Sequence, residues 1–490
     1  MTDVSNATLK ELGERVAVPA YDRSGLRSGL VHIGVGNFHR AHQCVYLDDL
    51  FATGTGHEWG VTGLSVRSED KALRDDLTAQ DGLYTVTEVD EGVSRTRVVG
   101  SILRFVEPGD RAGMLAALTA PETRIVSLTI TEGGYYMNGD TPDLSHPDLA
   151  ADAADLSAPK TVFGLVLAAI RARRDAGIAS FTVLSCDNLP HNGVLTRRLV
   201  EGLAERVDAD LAAFVGREIA FPNSMVDRIT PATHPSQIDA LARDHAISDR
   251  RPVFCEPFRQ WVIEDRFSSG RPALETVGVT FVEDVTPYEL MKLRILNAGH
   301  ATIAYPAALV GLTYAHEAMR DPLILRFFER VETGYLLPAS PEIEGVSRED
   351  YLATVAHRFA NPAIGDTIRR LALDGSNRQP KFVLPAVREL RARGDDVSGL
   401  ALVGALWCRY CEGTMEDGTV VEPNDPNWDQ LQSAAKAARS EPRRFLEQRV
   451  IFGDLVDDAV YAGLFSDHLA SLWSRGVRPT LTAFLEAPQG

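Results

Sequence analysis

Lys292, Asn297 and His300 fall within one short run, Met291-Lys292-Leu293-Arg294-Ile295-Leu296-Asn297-Ala298-Gly299-His300. An amine, a carboxamide and an imidazole are the groups needed to take a proton from an alcohol, hold the remaining oxygen and fix its orientation with no metal present. On a helix turning about 100° per residue, with Lys292 at zero, His300 falls at about 80° and Asn297 at about 140°, so all three share a side with Leu296. Residues lining a cleft are arranged this way. Arg294 falls about 160° from Lys292 and is no obvious perturber of it. A lysine on an amphipathic helix is most often solvated or snorkelling. Partial burial near other positive groups is what would lower its pKa and make it a base near neutrality.

Four further groups of residues bear on the same chemistry. The segment Ser185-Cys186-Asp187-Asn188-Leu189-Pro190-His191-Asn192-Gly193 follows a strand expected over 181–185, at the edge where ligands collect in open α/β sheets. Asn188 there is a candidate donor to a developing oxyanion, while Asp187 and Asn192 serve equally well as turn formers. Glu132, in Thr131-Glu132-Gly133-Gly134-Tyr135, occupies another strand exit and orients either substrate or buried polar groups. Gly34-Val35-Gly36, followed by Asn37 and Phe38, lies between an expected strand at 30–33 and a helix at 38–50. Glycines in that context let backbone approach a pyrophosphate at a helix N-terminus. The third small position is His39, so spacing alone describes a tight strand-to-helix turn equally well. Glu69-Asp70, after a strand expected at 59–66, suits an adenosine ribose diol and would oppose a 2′-phosphate, which favours NAD over NADP. Their distance from Gly34 exceeds the roughly 20 residues usual for this partner. A long helix and the Gly54-Thr55-Gly56 loop account for the excess, and a plain surface role is the alternative.

Strands at 30–33, 59–66, 124–131 and 181–185 alternate with helices at 38–50, 71–78, 110–118, 160–176 and 195–214. This alternation predicts a mostly parallel sheet covered on both faces. Residues 83–89 and 96–105 form a hairpin or neighbouring strands, and 253–254, 261–263 and 277–282 extend the sheet with mixed direction. From 288 onward helices dominate, at 301–318, 322–336, 348–359, 382–393, 400–409, 428–437, 443–450 and 464–474. The fold class expected is α/β: a Rossmann-like nucleotide-binding domain with an extended mixed sheet over 1–287, then a mainly α-helical substrate-binding domain over 288–490. A return of the chain to the first domain around 360–380 is an open option. Two domains also follow from the length of 490 residues, beyond the size at which one core keeps growing.

The 68 acidic and 50 basic residues give a formal charge of −18, spread along the chain. Nucleic acid is therefore not an expected partner, since backbone binding needs concentrated positive surface. Met1-Thr2-Asp3-Val4 has neither a basic start nor an apolar run, and no apolar span reaches membrane length; a cytoplasmic protein without a membrane partner is expected. Five cysteines do not make a disulfide scaffold. Cys408 and Cys411 form a CxxC pair with no second pair or spaced histidine, beside Trp407 and Tyr410, which fits a packed helix end better than zinc.

Taken together, Gly34-Val35-Gly36-Asn37-Phe38-His39-Arg40-Ala41-His42, the 131–135 and 185–193 segments, Met225-Val226-Asp227-Arg228-Ile229-Thr230-Pro231, Met291 to His300, Asn361-Pro362 and Asp374-Gly375-Ser376 resemble the mannitol 2-dehydrogenase family of long-chain polyol dehydrogenases and reductases. The resemblance covers nearly the whole chain. It implies a nucleotide domain, a mainly helical domain, a substrate cleft between them and a metal-independent oxidoreductase. By matching motifs it makes Lys292 the general base, Asn188 and Asn297 the oxyanion pair, His300 a substrate-positioning residue and Glu289 the acid on the proton path to water. Arg370 is implied in the substrate cleft by its place between the two later landmarks. The expected reaction is reversible NAD-dependent oxidation of D-mannitol at C2 to D-fructose, with a small polyol or ketose as partner and a monomer feasible. D-arabinitol, sorbitol or a hexuronate are the neighbouring alternatives, and a noncatalytic nucleotide sensor is the alternative of another class.

Overall fold

The computed structural model describes residues 1–65, 68–138 and 141–488. The chain divides into two compact units, Met1–Thr286 and Pro287–Gly490.

Five short strands carry the first unit: β1 (Leu30–Ile33), β2 (Val61–Leu64), β3 (Ile102–Phe105), β4 (Ile125–Leu128) and β5 (Thr182–Ser185). They pair in parallel in the order β5-β4-β1-β2-β3. Alternate residues feed two cores, as a period of two requires. Val31, Ile33, Val126, Leu128 and Val183 pack with Phe163, Val166 and Val200 of the helices Val162–Asp175 and Asn192–Val207. Leu30, Ile125 and Leu184 turn the other way, against Val45, Leu47 and Phe51 of the helix Gln43–Ala52. Because chain order leaves β1 in opposite directions, the β1/β4 junction is the switch point, and ligands of such sheets bind at its carboxyl edge.

The outlying strands refine the expectation. Tyr84–Asp90 and Val93–Val99 form an antiparallel hairpin, with Val253–Cys255 added in parallel to the first. Ser224–Asp227, Gln260–Glu264 and Thr280–Val282 make a mixed ladder of their own. The segment leading into that ladder bonds to the main sheet, Ala220 O accepting from Val183 N at 3.0 Å, but the ladder is a sheet of its own, so the mixed extension is joined beside the main sheet rather than continuous with it.

Two helices expected whole in the first unit are broken, and in the second the 301–318 helix divides into Ala298–Leu309 and Ala315–Arg320 and the 443–450 helix into Arg443–Leu446 and Arg449–Phe452. The 38–50 helix is two pieces, Asn37–Ala41 and Gln43–Ala52, because His42 leaves helical geometry at φ −116, ψ −83 and gives its Nε2 to Gln260 O at 2.8 Å. The 195–214 helix is also two, Asn192–Val207 and Ala209–Glu218. Asp208 is extended and caps the second piece through Asp210 N, which uses its carboxylate where a helix interior has no place for it.

The second unit is helical. Ser398–Cys411 is buried along nearly its whole length and packs against Ala459–Arg475, and Ala298–Leu309 is likewise buried on all sides. A helix apolar all round is an interior helix. Cys408 and Cys411 lie there as free thiols, and burial holds both well above the ordinary thiol range, so neither is poised as a nucleophile. No helix among the described residues is long and apolar enough to cross a membrane.

Three histidines are sealed inside the first unit. Burial pushes His32 and His42 down to about 3 and His39 well below its usual value, and the rings of His32 and His39 stack at 3.4 Å. Their folded pKa values lie below the unfolded value near 6.5, so the stability they leave intact above that pH is lost as pH falls toward 3. Each imidazole contributes a slope of roughly 1.4 kcal/mol per pH unit in that window. Urea melts between pH 6.5 and 5 should therefore show a steep loss of stability, made shallower by His42→Gln. An unchanged slope in that variant would contradict the assignment.

Candidate active site

The carboxyl edge of the parallel sheet gathers the first set of residues. Gly34, directly after β1, has φ +97, and a Cβ there would lie 2.1 Å from Thr129 O, so both backbone sign and space require glycine. Gly36 differs: its φ of −114 is ordinary and an added Cβ would meet nothing closer than 3.9 Å. Nothing inside the protein asks for glycine at that position, and a ligand approaching the backbone from outside does. This is the observation by which the turn fits a dinucleotide.

Behind the turn, the Gly34 carbonyl accepts from Thr129 Oγ1 at 2.7 Å, Thr129 Oγ1 meets His32 Nε2 at 2.9 Å, and His32 Nδ1 meets Ser127 Oγ at 2.8 Å. These supports were overlooked in the sequence, although His32, Ser127 and Thr129 are conspicuous polar residues in apolar strands. Asn37 and Phe38 offer backbone rather than side chains, which are already engaged: Asn37 Oδ1 accepts from Arg40 Nη2 at 2.7 Å, and Phe38 stacks on His42 at 5.0 Å. The Met225 to Pro231 landmark braces the same helix, since buried Arg228 donates to Ala41 O at 2.5 Å and to Glu256 O at 2.9 Å.

Val35, Leu64, Phe105 and Val106 wall a depression whose rim carries Ser65, Asp70 and Arg74. Asp70, held by Ser65 Oγ, is thus brought beside the glycine turn. Glu69 is exposed and does not line this depression. Arg74, which sequence reasoning did not single out, pairs with Glu107 and Asp75.

Asn188 follows β5 and is exposed on its loop. Its neighbours build the loop. Asp187 accepts from Thr131 N at 2.8 Å, Ile130 N at 3.1 Å and Tyr135 Oη at 2.8 Å, and Asn192 Nδ2 donates to Asp187 O and Ser224 O at 2.9 and 2.8 Å. Burial raises the Asp187 carboxyl, a shift that these donors oppose and the nearby charge of Glu132 reinforces. Glu132 itself is exposed, on a short turn entered through Thr131 at φ +64. Gly34, Glu132 and Asn188 therefore share the exits of β1, β4 and β5.

The second unit holds the lysine segment. Lys292–Asn297 is a π-helix inserted between the α-helices Thr286–Met291 and Ala298–Leu309. The expected angles assumed α geometry throughout and are corrected by this insertion. Bonds from i to i+5 widen the turn, so Asn297, five residues after Lys292, comes back closer to the lysine's side than 140°. Such bulges concentrate at functional sites. Lys292 is 7% exposed, Asn297 8% and Glu289, one turn before Lys292, 7%. Arg294 points away from them and pairs with Glu389 at 2.6 Å.

Asn297 Nδ2 and His300 Nε2 are both buried and have no hydrogen-bond partner among the described residues. The His300 ring stacks on Phe359 at 4.3 Å. Burial first, and then the charges of Arg370, Arg358, Arg378 and Lys292, hold this imidazole well below its usual value. It is neutral at physiological pH, with one nitrogen to donate and one to accept. Arg370 is exposed and forked onto Asp366, with Nε at 2.5 Å from Oδ1. The flanking landmarks are structural: Asn361 Oδ1 accepts from Ala363 N at 2.9 Å, and Ser376 is bound through backbone and hydroxyl to Asp425, both at 2.7 Å. Among the described residues no group of three or more His, Cys, Asp or Glu could hold a metal ion.

The mannitol dehydrogenase Rossmann domain family matches residues 28–276, and the mannitol dehydrogenase C-terminal domain family matches residues 284–473. The chain belongs to the mannitol dehydrogenase family. A mannitol 2-dehydrogenase of Cereibacter sphaeroides is 53% identical over 474 residues, covering 96% of this chain and 99% of that protein. One from Pyricularia oryzae is 40% identical, covering 96% and 95%. Among solved structures, Pseudomonas fluorescens mannitol 2-dehydrogenase, in a ternary complex with NAD and D-mannitol, superposes with a TM-score of 0.89 at 40% identity over 99% of this chain and 100% of that one. A substrate-free D-sorbitol dehydrogenase gives 0.91 at 35% identity over 98% and 100%. The protein is thus an enzyme of the polyol dehydrogenase type with a Rossmann domain and a mainly helical C-terminal domain.

Proposed function

We propose that the enzyme oxidises D-mannitol reversibly at C2 to D-fructose with NAD, without a metal. The observation that carries this reading is the π-turn: a buried amine and a buried carboxamide, whose Nδ2 has no hydrogen-bond partner among the described residues, brought to one side of a helix, with a neutral imidazole a turn beyond. Relatives named as mannitol 2-dehydrogenases over almost the whole chain supply the substrate.

Gly34 and Gly36 would take the pyrophosphate against backbone, and Asp70 the adenosine ribose diol. When bound, NAD supplies the acceptor for the hydride that leaves C2. Lys292 takes the proton of the C2 hydroxyl; burial is the condition under which a lysine can do so near neutrality. Asn297 donates to the same oxygen, more strongly as alkoxide character grows, and Asn188 is assigned as the second donor. His300 holds the hydroxyl or its neighbour in place. The proton then passes from Lys292 by way of Glu289 to water. In ketose reduction the same lysine returns the proton to the carbonyl oxygen. Arg370 and Glu132 are assigned to the remaining hydroxyls.

A screen of the purified protein with D-mannitol, D-arabinitol, sorbitol and fructuronate, followed by NADH absorbance, tests the reading. D-Mannitol should have the highest kcat/KM. A higher value for any other member would replace the substrate assignment, and no turnover with tight NADH binding would favour a sensor. For the cofactor, wild type should prefer NAD. Asp70→Asn should shift the NAD/NADP efficiency ratio toward NADP by roughly tenfold, about 1.4 kcal/mol, because it removes a charge opposed to the 2′-phosphate. An unchanged ratio would take Asp70 out of the cofactor site.

A further inference from the structure

Glu332 is a deeply buried carboxyl of the second unit. It is 0% exposed, and neither carboxyl oxygen has a hydrogen-bond partner among the described residues. It opens a second π-helix, Glu332–Leu336, which follows the helix Pro322–Val331 and packs against the Lys292–Asn297 turn. Burial alone moves its carboxyl well above the ordinary range.

Its contact is with the catalytic helix. A Cβ built on Gly299 would lie 2.7 Å from Glu332 Oε1, 3.1 Å from Phe328 Cε2 and 3.4 Å from Phe359 Cε2. Glycine at 299 is therefore what lets the carboxyl reach the backbone between Asn297 and His300. Phe359, on the other side of this contact, is the ring on which His300 stacks. Gly299 lies about 200° around the helix from Asn297, so Glu332 supports the segment from behind and does not itself face the substrate. A buried polar group with no partner is a cost that a hydrocarbon side chain would avoid. Its presence at this one contact ties it to the shape of the turn.

We propose that Glu332 is a positioning residue of the dehydrogenase: its buried carboxyl, seated against Gly299, sets where the π-turn ends and so where Asn297 and His300 stand. The inference rests on the reading of Lys292 to His300 as the catalytic segment.

The test is a set of variants assayed for kcat, polyol KM, NAD affinity and thermal midpoint. Glu332→Gln keeps the shape of the side chain and should keep kcat within about threefold. Glu332→Ala should lower kcat by roughly tenfold or more and raise polyol KM, with NAD affinity unchanged. Gly299→Ala, which presses from the opposite side, should reproduce that loss. The double variant Gly299→Ala/Glu332→Ala should recover activity relative to either single change, since the added methyl then occupies space vacated by the carboxyl. Additive losses in the double variant, or normal kcat in folded Gly299→Ala, would overturn the proposal; so would Glu332→Gln as impaired as Glu332→Ala. If Glu332→Ala does not fold, Gly299→Ala and Glu332→Gln decide. Absence of polyol turnover in wild type would instead overturn the catalytic reading, which keeps the two failures distinct.

Discussion

Lys292→Ala should lose roughly 10²–10⁴-fold in kcat for polyol oxidation, the usual worth of one positioned acid-base group. NAD affinity should stay within a few fold, because the glycine turn and Asp70 belong to the first unit and the lysine to the second. The loss should fall on kcat and kcat/KM together, as for an interaction made in the transition state. The acid limb of the wild-type pH profile should vanish in the variant, and an added small amine should restore part of the rate. Near-normal, pH-dependent kinetics would remove Lys292 from the role of base. Glu289→Gln, on the proposed exit of the proton, should slow turnover without abolishing it.

Asn297→Ala should cost about 10²–10³-fold in kcat, the range measured for removing one donor to an oxyanion. The reason lies in the free enzyme. Asn297 Nδ2 is buried without a partner among the described residues, so in the proposed role its donor is already desolvated before the substrate oxygen arrives. Asn297→Asp, similar in shape, should be worse, since it sets a negative charge against a developing alkoxide. Asn188→Ala should behave alike if both amides bind the same oxygen, and the two losses should couple in a double-mutant cycle. Independent, additive losses would show that they serve different atoms. A wild-type rate in Asn297→Ala would end the oxyanion assignment.

The parallel sheet was legible because its strands are near-continuous apolar runs that need both faces covered, as Leu30 to Ile33 shows. The breaks at His42 and Asp208 were not, since each depends on a partner or a cap that a periodicity of 3.6 does not register. The lysine segment was legible in its residue types but not in its geometry. A π-turn has no sequence signature in the apolar pattern, and it alone moves Asn297 toward Lys292. Glu69-Asp70 was readable as an acidic pair, while the choice of Asp70 as the lining residue comes from the short 3-10 turn Ser68–Asp70. Glu332 was invisible for a different reason. In Glu329-Arg330-Val331-Glu332 it reads as a solvated helix face, and its complete burial and close approach to Gly299 show it turned inward.

Identification of the product of D-mannitol oxidation, alongside NADH formation, is the most direct test of C2 chemistry carried by Lys292. Wild type should yield D-fructose and NADH in equal amounts, and Lys292→Ala with NAD bound should yield neither at a comparable rate. An aldose product, or D-fructose formed at the wild-type rate by the lysine variant, would contradict the account.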